Sequence, residues 1–168
     1  MKGDNQLRFE NKTLLEMQDI KGVNLQIYLK TPLYIVLYIV CILSIAARLV
    51  DYFVSHIINL SAVVPFILAL LAMVFVYFAN NRTLYRQSTK ENGEPIKFTY
   101  ILEDNILKIT TDEGKSHQLD IRLIYKSFES KNCFALRGRD NSFFIIKKSG
   151  FILGTAEEFS KLLKENKN

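Results

Sequence analysis

Nucleophilic catalysis needs a base beside the nucleophile, and histidine is the usual base near neutral pH. The chain has two, His56 and His117. His56 falls between two long apolar runs and His117 in a segment of alternating polarity, so they read as lying on opposite sides of a membrane. A metal centre needs several convergent ligands. Cys41 lies inside an apolar run, Cys133 lies far from it, and neither CxxC nor HExxH occurs. Both thiols read as reduced, as in cytoplasmic proteins. The carboxylate pairs Glu103-Asp104 and Asp112-Glu113 are of the type that does acid–base work. Both sit in turn-forming clusters, however, where solvated carboxylates are common. Neither GxGxxG nor GxxxxGK is present, so no phosphate-cradling loop is indicated. No catalytic residue, metal or cofactor is expected, and the chain reads as a non-enzymatic protein.

Charge is the remaining chemistry. Lys and Arg number 22 against 17 Asp and Glu, a net charge of +5. From Arg82 onward there are 16 basic and 12 acidic residues. Arg82, Arg86 and Lys90 follow the second apolar run, and Arg137, Arg139, Lys147 and Lys148 fall in the last predicted hairpin. These seven form the candidate set for anionic lipid headgroups or a protein partner. A basic residue near such a surface contributes about 1 kcal/mol. The plainer reading is an ordinary positive flank with scattered solubilising charge. Nucleic acid is not an expected partner, because the excess is mild and no recognition motif is visible.

The elements that position these residues are of two kinds. Between Pro32 and Ala79 only Arg48 and Asp51 carry charge at neutral pH. The first apolar run, extended through Val54, and the second, from Ile57 to Ala79, are each long enough to cross a hydrocarbon core about 30 Å thick. They predict transmembrane helices over 32–54 and 57–79, with Pro65 a possible kink. Arg48 lies within about two turns of the first run's end, where its stem reaches the headgroups. Asp51, three residues on, is positioned to pair with it.

A pair of buried core helices is the soluble alternative, but both runs are apolar on every face. A cleaved signal peptide, suggested by Ser44-Ile45-Ala46, is opposed by the long polar segment before it and by the second run. Lys12, Lys21 and Lys30 precede the first span, and Arg82, Arg86 and Lys90 follow the second. The basic flanks predict a multi-pass protein of the cell membrane with both termini cytoplasmic. Small residues on both runs allow close helix approach, though GxxxG is absent.

After the breaker cluster at 91–95 the period changes to two. Strands are expected at 96–102, 106–111, 116–119, 133–137 and 142–148, with turns at 103–105, 112–115 and 138–141. The stretch 120–125 reads equally as a helical turn or a bent strand. Thr155 with Glu158 forms a capping box opening a terminal helix, whose Phe159, Leu162 and Leu163 make one stripe facing the sheet. The fold class is therefore α+β: two transmembrane helices in a hairpin, then an antiparallel β domain of five or six strands over residues 91–168, closed by a C-terminal helix. Residues 82–90 continue the second helix or form a basic stalk. In residues 1–31, a strand is expected at 6–10. Thr13 and Glu16 suggest a second capping box before a helix that packs on the sheet or lies on the membrane surface.

The run Phe143-Phe-Ile-Ile-Lys-Lys-Ser-Gly-Phe151, followed by Thr155-Ala-Glu-Glu-Phe-Ser-Lys-Leu-Leu163, resembles the closing segment of the YcxB-like family of bacterial membrane proteins. Gly114 to Ile124, with its Asp120-Ile121 pair, is similar to the same family, as is the plan of short N-terminal segment, hairpin and β domain. Lys147 occupies the place of a Pro in the family's pattern, and Leu119 that of a Trp. The resemblance implies a pleckstrin-homology-like (PH-like) β domain at the membrane and no particular activity.

The function expected is a tether that holds a small cytoplasmic module at the bilayer for protein or lipid-headgroup interaction. The alternative is a membrane regulator or immunity-type protein. Its hairpin would contact another membrane protein, or a second copy of itself, through Arg48, Asp51, Asn59 and Ser61.

Overall fold

The computed structural model describes residues 8–56, 60–140 and 142–165. The chain divides into two compact units, Asn24–Thr83 and the discontinuous pair Met1–Val23 with Leu84–Asn168.

The first unit is helical. Helix α1 (Met17–Lys30) crosses into it at Asn24, and is followed by α2 (Pro32–Ser55) and α3 (Leu60–Gln87), which leaves it at Thr83. Pro32 opens α2, where its missing N–H would have had no helical acceptor. His56, at φ 53°, ends that helix and donates its N–H to Tyr52 O at 2.8 Å. Helix α3 continues through Pro65. It runs on past the expected end at 79, because nothing from Asn80 to Gln87 breaks a helix, and it carries Arg82 and Arg86 with it. Ile57, Ile58 and Asn59 lie outside the described residues.

Both α2 and α3 are long and apolar enough to cross a membrane. At ~1.5 Å per residue they reach ~36 and ~42 Å. Their apolar side chains are not covered by the rest of the chain: Leu33, Leu43, Phe53, Leu68 and Phe75 are all more than half exposed. Polar side chains join α1 to α3 inside this unit. Asn24 Nδ2 donates to Asn81 Oδ1 at 2.9 Å, and Asn80 Nδ2 to the Tyr28 hydroxyl at 3.0 Å. The Tyr28 ring stacks on Tyr34 at 4.3 Å.

The second unit is an antiparallel β structure closed by a helix. Strands β1 (Phe9–Leu14), β2 (Lys97–Glu103), β3 (Ile106–Thr111), β4 (Ser116–Asp120) and β8 (Phe151–Leu153) form a sheet in the order β4-β3-β2-β1-β8. Strands β5 (Ile124–Glu129), β6 (Cys133–Gly138) and β7 (Phe143–Lys147) form a second sheet in that order. Where one sheet of roughly five or six strands is expected, the described residues form eight strands in two sheets. The domain boundary also differs from 91–168, because β1 lies inside the first sheet between β2 and β8. Phe9 stands opposite Leu102 and Leu14 opposite Lys97. The apolar helices are therefore an insertion between two paired strands. The expected strand at 6–10 overlaps β1 at Phe9 and Glu10; Gln6 and Leu7 lie outside the described residues.

Local chemistry explains the turns. Asp104 and Asn105 both take positive φ, 51° and 65°, which makes the two-residue β2–β3 hairpin. Gly114, at φ 83°, turns β3 into β4. The stretch 120–125 is both of its readings in succession. Asp120 accepts the Arg122 N–H and caps a single 3-10 turn, Ile121–Leu123, and β5 follows at once. Asn141, in the β6–β7 turn, lies outside the described residues.

Phe9, Tyr100, Leu102, Leu107, Leu136 and Ile146 build the core between the sheets. Helix α4 (Ala156–Glu165) adds Phe159 and Leu163, both buried, and Leu162, partly buried. The capping box at its start is formed: the Thr155 N–H donates to Glu158 Oε2 at 2.9 Å, and the Glu158 N–H to Thr155 Oγ1 at 3.2 Å. Lys167 lies outside the described residues. Gly154 precedes this helix at φ 75° with the Phe9 ring against its Cα, so a side chain there would meet both strain and a clash.

The second expected box does not form. Thr13 is a strand residue whose hydroxyl donates to Asn11 Oδ1 at 2.6 Å and accepts the Lys147 N–H at 2.9 Å. The start of α1 is capped three residues later, where the Glu16 N–H donates to Asp19 Oδ2 at 3.1 Å. Of the two readings for this helix, its first half follows the one that packs on the β structure. Ile20 and Val23 are fully buried, and Gly22 approaches Ser130.

Candidate interaction surface

The seven basic residues proposed from sequence separate into three groups. Arg82 and Arg86 are exposed on α3. Lys90, Lys147 and Lys148 are drawn into ion pairs within the β unit. Lys90 Nζ sits 2.8 Å from Asp112 Oδ2, Lys147 Nζ 2.9 Å from Asp19 Oδ2, and Lys148 Nζ 2.7 Å from Glu129 Oε1. Lys148 also lies 5.0 Å from the centre of the Phe134 ring. Each of these ammoniums joins two segments of the domain. The pairing follows from the fold, because each carboxylate arrives from a distant segment of the chain.

Arg137 and Arg139 form the third group, and both are exposed. The Arg137 guanidinium lies 5.8 Å from the centre of the Tyr125 ring. The Arg139 N–H donates to Leu123 O at 3.1 Å, so the β6–β7 turn is fixed against the 3-10 turn. Leu123 and Tyr125 are each 46% exposed. The result is a ridge of two arginines, a tyrosine and a leucine, with Arg122 beside it and already bound to Asp120. Arginine above an aromatic face and an exposed aliphatic tip suit an anionic, partly apolar surface. Sequence reasoning missed Leu123 and Tyr125 because 120–125 was open between two conformations. The register shift between Ile124 and Lys126 is what breaks the alternation there.

The remaining sequence candidates are distributed as follows. Arg48 and Asp51 pair with each other at 3.1 Å. Ser61 is exposed on α3, and Asn59 lies outside the described residues. His56 belongs to the helical unit and His117 to β4, where it faces Asp140 at 3.6 Å. Cys41 and Cys133 are both free thiols. Among the described residues, no group of three or more His, Cys, Asp or Glu side chains converges as a metal site.

The electrostatics agree with a folded, internally paired unit. The hydrogen bond from Lys148 holds the Glu129 carboxyl below its ordinary range, and Lys90 does the same to Asp112. Burial pushes the Cys133 thiol up to about 12, with the nearby Asp19 carboxylate acting in the same direction. Burial likewise raises the Tyr100 phenol, whose hydroxyl donates to Ile145 O at 3.0 Å. A thiol so protonated is a poor nucleophile. The chain matches no family model, no curated protein and no solved structure.

Proposed function

We propose that the chain is a non-enzymatic integral protein of a bacterial cell membrane, related to the YcxB-like family. On this reading α2 and α3 cross the bilayer as a hairpin with both termini in the cytoplasm. They tether a PH-like β module that works by contact with lipid headgroups or a protein partner. The observation that carries the reading is the exposure of large apolar side chains along α2 and α3. Soluble monomers rarely leave contiguous apolar surface beyond a few hundred Å², and lipid tails are the solvent that makes such surface stable. Two meanders of four and three strands, followed by a closing helix, are consistent with the PH-like assignment. The ridge of Leu123, Tyr125, Arg137 and Arg139 supplies the contact face. The hairpin-centred alternative is weaker, because Arg48 and Asp51 already satisfy each other.

The test is made on the full chain in bacterial cells. Alkaline extraction should leave it in the membrane, and reporters on the two ends should both register the cytoplasm. A photo-crosslinker at Tyr125 should capture the same lipid or protein after the hairpin is replaced by an unrelated two-span hairpin. Recovery in the aqueous fraction, or opposite compartments for the two ends, would refute the membrane reading. Loss of the crosslink on replacing the hairpin would favour the hairpin as the working part.

A further inference from the structure

We propose that an open groove at one end of the five-stranded sheet is a binding site for a phosphorylated polyol, with Lys12 and Lys97 holding the phosphate. The groove has a volume of about 480 Å³, within the range of small-molecule sites. Its polar lining comes from neighbouring positions on β1, β2 and β3. Lys12 stands opposite Thr99, Thr99 opposite Thr110, and Leu14 opposite Lys97. Lys12 and Lys97 are therefore diagonal neighbours on one face. Such positions lie about 7–8 Å apart, within reach of long side chains, so both ammoniums can meet on one anion.

The charges around the groove favour an anion. Neither Lys12 nor Lys97 has an ion pair among the described residues, unlike the three lysines of the domain's internal bridges. Asp112 is the carboxylate in the lining, and its charge is already met by Lys90 at 2.8 Å and by the Lys97 N–H at 3.3 Å. Thr99 and Thr110 offer hydroxyls that can donate to phosphate oxygens or exchange hydrogen bonds with a polyol. Leu14, 41% exposed, gives an apolar wall for the carbon skeleton. A phosphate monoester suits this set better than a single carboxylate, because its charge of about −1.5 to −2 at neutral pH matches two ammoniums and its third oxygen is left for a hydroxyl. The other cavities serve less well. The one beside α4 is lined by Glu129 and Lys148, which are spent on each other, and the one under Leu84 is smaller, about 170 Å³.

The polyol phosphate has two sources, a free metabolite or a glycerophospholipid headgroup. The lipid-borne version rests on the membrane reading above. Lys97 follows Gln87, the last residue of α3, by only ten residues, at most about 36 Å of chain.

Full-length protein in detergent is titrated calorimetrically with glycerol 3-phosphate and with inorganic phosphate. The same protein is examined by native mass spectrometry after reconstitution with phosphatidylglycerol or with phosphatidylcholine. Saturable binding of glycerol 3-phosphate supports the site with a soluble ligand. Selective retention of phosphatidylglycerol supports it with a lipid ligand. In either arm the double variant Lys12→Gln/Lys97→Gln should bind at least about tenfold more weakly, Thr110→Val less severely so, and Lys115→Gln as well as the parent. Circular dichroism checks that the variants fold. Binding in neither arm, or binding indifferent to the double variant, overturns the proposal. Alkaline extraction is scored separately, so failure of the membrane reading is distinguished from failure of the site.

Discussion

The Asp19 carboxylate and the Lys147 ammonium meet at 2.9 Å, with the Asp19 side chain wholly excluded from solvent. Asp19 also caps α1 through the Glu16 N–H, and Lys147 ends β7, so one contact pins a helix from the N-terminal segment to the second sheet. The second carboxylate oxygen of Asp19 has no hydrogen-bond partner among the described residues. If Lys147 is lost, the Glu16 N–H remains on the carboxylate, but among the described residues no second cation pairs with it.

Lys147→Met should cost the fold about 3–5 kcal/mol, because it strands a buried carboxylate. The double variant Asp19→Asn/Lys147→Met should recover most of that loss. Thermal unfolding of the detergent-solubilised full chain measures both. Equal destabilisation in the single and double variants would show that the pair contributes little beyond packing.

Thr13 joins the sheets in a second way, by accepting the Lys147 N–H while donating to Asn11. Asn11 in turn donates to Lys147 O at 2.8 Å. Thr13→Val keeps the shape and removes the hydroxyl, so it should destabilise by about 1–3 kcal/mol through unpaired buried groups. Denaturant unfolding of Thr13→Val and Thr13→Ser distinguishes the lost hydroxyl from a lost methyl, since serine should retain most of the stability.

Cys133 is fully buried with its thiol pushed up to about 12. In a Cys41→Ser background, alkylation at pH 8 should proceed only as fast as the β unit opens. It should accelerate sharply on adding denaturant. Rapid labelling of the native protein would mean that α1 does not stay seated over Cys133.

Glu129 and Asp112 have carboxyls held below their ordinary range by Lys148 and Lys90. A depressed folded value contributes stability that is present above the unfolded carboxylate range, about pH 4. That contribution is lost as pH falls through the folded value. Unfolding temperatures should therefore stay level from neutral pH down to about pH 5 and fall below it. Glu129→Gln should flatten the acid limb, and an unchanged limb would exclude the Lys148 bridge as a contributor.

Much of the local structure was legible because its causes are local. The β2–β3 and β3–β4 turns follow from Asp104, Asn105 and Gly114, and the α4 cap from Thr155 and Glu158. The length and uniform apolarity of α2 and α3 follow from composition alone. Thr13 shows where this reasoning fails. Its spacing to Glu16 suited a cap, but its hydroxyl was claimed by a backbone N–H from β7, and a proline at position 147 would have had no such N–H to offer. The same holds for Lys147 and Lys148, which look like free surface charge in a hairpin and are in fact bonded to Asp19 and Glu129. Leu123 and Tyr125 became a ridge only when the β6–β7 turn was fixed against them.

The order of residues by itself determined two apolar helices, most strand positions, the hairpin turns and the closing helix, because side-chain periodicity and turn chemistry act over a few residues. Tertiary structure alone decided that Phe9–Leu14 pairs with Lys97–Glu103 across three intervening helices, and which cations are paired and which remain exposed. Strand partners and ion-pair partners come from distant parts of the chain, and no local pattern encodes which distant group will arrive.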